Sequence, residues 1–286
     1  MTTRDGYGSL LDALRGVKWP ARRLVPAGPA GQHASSLRGL AAEFTEYRAY
    51  RQGDDPRRLD WKLLARTDRP YLRLSEARSI LRTLIALDAS ASMVYPADAA
   101  SKWRHARRLA VALAAVAHAG GDPVGLMVTG QTVDRLPART RRGTVGEIAR
   151  AVDAMRPGGP DRLADAISHG QVLDRTVVIS DFLSDEDALI RAGRQLVAQG
   201  TELHAVHVIA RDELDPPPGT YIAVDPERPA LRRPFDDEMH TKYRERFAAW
   251  RDALADRWRE AGAHYTAVVS DEPADRAVRR VVQRVA

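Results

Sequence analysis

The chain has no cysteine among its 286 residues. That excludes disulfides, thiolate metal sites and a cysteine nucleophile, and it removes any reason to assume an oxidising compartment. Lysine is scarce. Of 44 Lys+Arg residues, only Lys18, Lys62, Lys102 and Lys242 are lysine. Arginine pairs carboxylates through a planar fork, so this bias suits internal salt bridges or an acidic partner. No apolar run approaches the roughly 18 residues that cross a bilayer. No apolar signal core follows basic residues at the N-terminus, and the expected location is the cytoplasm. A G-x-x-x-x-G-K-[ST] loop is missing, so the chain is not itself a P-loop ATPase. So is the G-x-S-x-G elbow of a serine hydrolase. There is no internal repeat and no low-complexity tract.

What is present is a soluble composition, 44% hydrophobic and 29% charged, enough for one large domain or two small ones. The net charge of +6 is carried by residues 1–80, which hold 15 Lys+Arg against 9 Asp+Glu; residues 81–286 balance. Arginines there alternate with acids, which fits a solvated or internally paired surface. Asp54, Asp55 and Asp60 are expected to pair with arginines and not with a metal, and Trp61 is expected to be largely buried. A rival use of the same segment is nucleic-acid binding, because Tyr7, Trp19, Phe44, Tyr47, Tyr50, Trp61 and Tyr71 interleave with arginine. The charge pattern makes nucleic acid the less favoured partner. His33 has no second histidine at ligand spacing and is assigned no metal.

Hydrophobic patterning gives the fold class. Residues 1–17 read as a short amphipathic helix with Leu10, Leu11 and Leu14 on one side, and Trp19 to Gly31 as an extended connector rich in Pro and Gly. Gly53 to Pro56 is a turn, with Asp55-Pro56 as a helix start. From Leu81 onward, apolar strands alternate with amphipathic helices. Strands are expected at Leu84–Leu87, Val124–Val128, Val177–Ile179 and Ala205–Val208, with Thr132–Leu136 as a hairpin or edge partner. Helices are expected at Ser101–Ala119, Thr144–Met155, Asp185–Gln199 and Asp236–Ala261, and a loop at Asp212–Pro218. Alternation of this kind means an α/β fold with a doubly wound, mostly parallel sheet. Residues 1–80 are read as an N-terminal segment and 81–286 as the α/β domain.

The candidate site is Ile85-Ala-Leu-Asp-Ala-Ser-Ala-Ser-Met93. A buried strand ends on Asp88, and Ser90 and Ser92 follow at alternate positions between small alanines. The three side chains can converge at the carboxyl end of a strand, where open α/β sheets bind ligands. A carboxylate and two hydroxyls are hard oxygen donors for magnesium, manganese or calcium. The same residues can equally satisfy backbone groups and cap the next helix. A second apolar strand, Val177-Val-Ile-Ser-Asp181, also ends in a carboxylate.

The D-x-S-x-S run resembles the metal-ion-dependent adhesion site of von Willebrand factor A domains. The longer pattern, H-x-S at His33, E-F-x-x-x-R-x-Y-x-x-G-D-D-P-R-x-x-D-W from Glu43 to Trp61, then Ala65-Arg66 and the D-x-S-x-S-M strand end, resembles a bacterial family. It is the von Willebrand A-like domain of unknown function number 58, often encoded beside MoxR-type AAA+ ATPases. Two positions depart from the family's pattern: Ala41 replaces a glycine, and the acidic run before the central strand is reduced to Glu76, followed by Arg78. The resemblance implies that Asp181 binds the cation beside Asp88, Ser90 and Ser92. It also implies a threonine on a G-G-T-D loop, which here reads Gly158-Gly159-Pro160-Asp161. Pro160 has no hydroxyl, so the site would hold a Mg2+, Mn2+ or Ca2+ ion weakly, hold water, or be structural only, with Asp161 next door able to reach in or to cap the following helix.

Three functions follow as expectations. The first is a non-enzymatic interaction module with a degenerate adhesion-type site; by resemblance it works with a MoxR-type ATPase and its client. The second is a hydrolase with Ser90 or Ser92 as nucleophile or with a metal-activated water. It lacks support, because none of the eight histidines, at 33, 105, 118, 169, 204, 207, 240 and 264, lies in a recognisable motif. The third is nucleic-acid binding through residues 1–80.

Overall fold

The computed structural model describes residues 6–21, 30–38, 44–51, 54, 59–96, 99, 101–217, 221–224, 232–235 and 237–283. The chain divides into two compact units, one of Met1–Trp19 with Arg82–Ala286 and one of Pro20–Leu81.

In the smaller unit, β1 (Ala30–Arg38), β2 (Phe44–Ala49) and β3 (Tyr71–Ser79) form an antiparallel sheet in the order β1-β3-β2. Helix α2 (Trp61–Thr67) precedes β3. None of these strands was expected from the sequence. Asp55-Pro56, the expected helix start, lies outside the described residues. The helix begins instead at Trp61, with the Asp60 carboxylate accepting from the amides of Lys62 and Leu63, each at 3.0 Å. Asp54 likewise accepts from a backbone amide, that of Arg51 at 2.8 Å. Trp61 is 63% exposed, contrary to expectation. The Asp60 cap makes it the first helical residue, and Leu63 and Leu64 are the half-buried positions of that turn.

The larger unit holds a six-stranded sheet in the order β11-β8-β7-β4-β5-β6. Its strands are β4 (Thr83–Asp88), β5 (Val124–Thr129), β6 (Val133–Arg139), β7 (Arg175–Ser180), β8 (Glu202–Ile209) and β11 (His264–Val269). All pair in parallel except β6, which is an antiparallel edge on β5. Every residue of β5, β7 and β8 is buried, as a sheet covered on both faces requires. One face carries α1 (Gly8–Ala13), α3 (Ser101–Ala119), α4 (Thr144–Ala154) and α9 (Ala274–Val282). The other carries α5 (Leu163–Ser168), α6 (Glu186–Ala198) and α8 (Asp237–Glu260). A short helix α7 (Arg211–Leu214) occupies part of the stretch expected to be loop, and a two-stranded hairpin, β9 (Tyr221–Val224) with β10 (Arg232–Phe235), completes the elements. None of the described helices is long and apolar enough to cross a membrane. The four core strands and α3 fall where the sequence places them.

At the amino edge of this sheet lies a buried ionic cluster. Arg175, fully buried on β7, bonds Glu202 at 2.9 Å, approaches Asp122 at 3.6 Å and lies 4.4 Å from the centre of the Trp19 ring. His204 completes it, with Nε2 2.9 Å from Glu202. Burial drives the His204 pKa down to about 4, against an opposing pull from Glu202. The unfolded chain therefore takes up a proton between pH 6.5 and 4 that the folded chain refuses, so this contribution to stability is present above pH 6.5 and is lost as pH falls through that window. His204→Gln is expected to flatten the stability profile there by about 1.4 kcal/mol per pH unit. Urea midpoints at pH 7, 6, 5 and 4.5 check this; parallel profiles for variant and wild type would rule it out.

Candidate functional site

Strand β4 lies between β5 and β7, and the chain leaves it in one direction and returns on the other side. Its carboxyl end is thus the topological switch point of the sheet, the place where such folds open a crevice. Register puts Asp88 beside Thr129 and Leu87 beside Ile179, so Asp88 ends β4 and Asp181 directly follows the last residue of the adjacent β7.

The loop after β4 is held by its neighbours. The Ala89 amide donates to the Thr129 carbonyl at 2.6 Å, and the Ser90 amide folds back onto Asp88 Oδ1 at 2.8 Å. A 3-10 turn over Ala91–Val94 follows. The glycine loop is pinned against it by two backbone bonds, Gly158 N–H to the Ala89 carbonyl at 2.8 Å and Ala91 N–H to the Gly159 carbonyl at 3.0 Å. Gly130 also approaches closely, since a Cβ there would stand 2.8 Å from the Ala89 oxygen. Any side chain at 130 would push this loop away.

Side chains then converge. Ser90 Oγ and Ser92 Oγ are 3.0 Å apart, and Ser92 Oγ donates to Asp181 Oδ1 at 3.2 Å. Ser180 Oγ donates to Asp88 Oδ2 at 2.7 Å and accepts from the Phe182 amide at 3.0 Å. Phe182 itself adopts a left-handed backbone, φ 54°, and is buried between the rings of Trp258 and His207. That turn sets the direction of Asp181. Asp161 accepts from the Leu163 amide at 2.7 Å and from the Ser184 hydroxyl. It thus satisfies the first amide of the helix that follows, from the position before the Arg162 cap, while remaining near enough for its charge to act on Asp88. Pro160 is exposed.

Two residues that the sequence reading missed complete the arrangement. Lys102 Nζ, on the first turn of α3, donates to Asp181 Oδ2 at 2.6 Å and to Glu213 Oε1 at 2.7 Å. Glu213 Oε2 accepts from the Ala210 amide at 2.7 Å. The available signal was a lysine beside Trp103 and Ala106 on the buried side of a helix whose Arg104 and Arg108 are exposed.

The electrostatics follow from burial. Asp88 is pushed up to about 8, first by desolvation and then by the charges of Asp161 and Asp181, against the Ser180 and Ser90 hydrogen bonds. The rise expected for close carboxylates is there, but burial is its larger cause. Asp161 is also raised by burial, against the Leu163 amide. Burial works to lower Lys102, but Asp181 and Glu213 outweigh it and raise the pKa.

The donor set fits a hard cation. Ligands about 2.1 Å from Mg2+ and at right angles lie about 3.0 Å apart. Ser90 Oγ to Ser92 Oγ and Ser92 Oγ to Asp181 Oδ1, hydrogen-bonded at 3.0 and 3.2 Å, are spacings that such an ion could also span. Among the described residues, no group of three or more His, Cys, Asp or Glu side chains gathers as a metal site, so hydroxyls would have to supply part of any coordination. Among the described residues, neither Ser90 nor Ser92 shows a hydrogen bond to a histidine.

The doubly wound sheet has an antiparallel edge and carries the D-x-S-x-S turn at its switch point, the arrangement that the resemblance to von Willebrand A domains implies. The chain belongs to the family described as "Protein of unknown function DUF58", which matches residues 46–256. Uncharacterized proteins of Mycobacterium bovis and Mycobacterium tuberculosis are 29% identical over 283 residues, spanning 92% of this chain and 85% of theirs. Among solved structures, an aerotolerance-related membrane protein from Bacteroides fragilis is similar over 71% of this chain and 98% of that one, at 19% identity and a TM-score of 0.46. BatB from Bacteroides thetaiotaomicron matches over 71% and 97%, at 17% identity and 0.44. The SpRpn10 VWA domain matches over 70% and 94%, at 14% and 0.40.

Proposed function

We propose that this domain is a non-enzymatic protein-interaction module whose adhesion-type site holds a divalent cation weakly and presents it to a partner's carboxylate. The observation that carries the reading is the spacing of Ser90 Oγ, Ser92 Oγ and Asp181 Oδ1, 3.0 and 3.2 Å, at the switch point of the sheet. These three and Asp88 would hold the ion, and Asp161 would reach it through water. A bound ion would supply an open coordination position for an acidic side chain. Leu183, two residues past Asp181 and 47% exposed, offers an apolar contact beside that position. The family resemblance makes a MoxR-type AAA+ ATPase, or its client, the partner.

Capture experiments in Mg2+ and in EDTA, with Asp88→Ala beside wild type, test the module. Partners should be retained only by wild type and only with Mg2+; equal retention by both chains, or in EDTA, would end this reading. Pro160→Thr restores the hydroxyl of the family's loop. It is expected to tighten Mn2+ binding about tenfold, since one more direct oxygen ligand contributes on the order of 1–2 kcal/mol. Calorimetry decides this, and equal affinity would mean that position 160 does not face the ion.

A further inference from the structure

Lys102 is the exception among the four lysines. Lys18, Lys62 and Lys242 are exposed, whereas Lys102 is 0% exposed. A buried ammonium is costly and persists only when paired. Here it is paired twice, and both partners are otherwise occupied. Asp181 turns Oδ1 to the serine hydroxyl and Oδ2 to the lysine, while Glu213 turns Oε1 to the lysine and Oε2 to the Ala210 amide. Asp181 thus already carries a cation on the face opposite the serines.

We propose that the Lys102 ammonium is a resident cation of this site, which holds Asp181 in the ligand position when no metal is bound and sets the affinity for a divalent ion low. The inference rests on the reading of Asp181 as a cation ligand. Two consequences follow from charge alone. A divalent ion on Oδ1 would meet a positive charge across one carboxylate, a repulsion that a low-dielectric interior does not screen. Equally, Asp181 does not need that ion to be neutralised, so the domain folds without it. Glu213 takes part of the ammonium's charge and ties the site to the Ala210–Glu213 turn. Lys102 is therefore a positioning residue whose charge acts through Asp181.

The test uses the full chain. Thermal unfolding is followed in EDTA and in Mn2+, and Mn2+ binding is measured by calorimetry. Wild type should show nearly the same Tm in both. Lys102→Met, similar in length but uncharged, should lose stability in EDTA, regain it in Mn2+, and bind Mn2+ at least about tenfold more tightly than wild type. The double variant Lys102→Met with Glu213→Gln keeps the buried charge sum unchanged and serves if the single variant does not fold; it too should bind Mn2+ more tightly than wild type. If wild type binds Mn2+ and the folded variants bind it no more tightly, the ammonium has a packing role only and the inference falls while the cation reading stands. If no chain binds Mn2+, the cation reading and the inference fall together.

Discussion

Replacing Asp88 by asparagine is expected to make the protein more stable and, on the proposed reading, unable to hold its ion. Asp88 is buried, and its pKa is pushed up to about 8 from an ordinary 3.8, first by desolvation and then by Asp161 and Asp181. A group with a raised folded-state pKa favours folding most below its unfolded value. Its contribution declines as pH rises from about 4 to about 8. At neutral pH, without a cation, the folded state must keep this carboxyl protonated, which costs on the order of 2–4 kcal/mol. Asparagine removes that cost and keeps one oxygen to accept from the Ser90 amide, the bond now made at 2.8 Å. In EDTA at pH 7, the urea midpoint of Asp88→Asn should lie above that of wild type, and the gap should close at pH 4. A variant no more stable than wild type at pH 7 would mean that Asp88 is not strained by its burial. The opposed effects on stability and binding are the signature of a site kept for function at the fold's expense.

The second large effect lies at the other edge of the sheet. Arg175→Met should destabilise the larger unit by about 3–5 kcal/mol, because it removes the buried guanidinium that bonds Glu202 at 2.9 Å and takes the nearby charge from Asp122, leaving the Glu202 carboxylate beside a His204 whose burial disfavours its charged form. Glu202→Gln in the same chain should recover part of the loss, since the uncompensated carboxylate goes with it. The guanidinium also stacks on Trp19, which packs edge-on against His204 with ring centres 5.2 Å apart. Residues 1–19 belong to this unit. Hydrogen exchange in α1 should therefore quicken in Arg175→Met. Unchanged denaturation midpoints and exchange rates would show that the cluster does not hold the N-terminal segment.

Local pattern determined much of this protein. The apolar runs at Leu84–Leu87, Val124–Val128, Val177–Ile179 and Ala205–Val208 are short and continuously apolar, as strands covered on both faces require. Asp88, Ser90 and Ser92 could be read as one cluster because they are consecutive on one turn. Asp181 joined them because it ends a second apolar strand. Other features left no local trace. The antiparallel β1-β3-β2 sheet depends on pairings between distant segments. Trp61 is exposed because Asp60 places it at a helix start, which its hydrophobicity does not announce. Lys102, Asp181 and Glu213 come together only because β4 lies between β5 and β7 and brings α3, β7 and α7 to one edge, over separations of 79 and 111 residues. Sequence periodicity reports which face of an element is buried. Which charge meets which inside that burial is decided by strand order and register, and here they put an ammonium on the one carboxylate oxygen that the serines leave free.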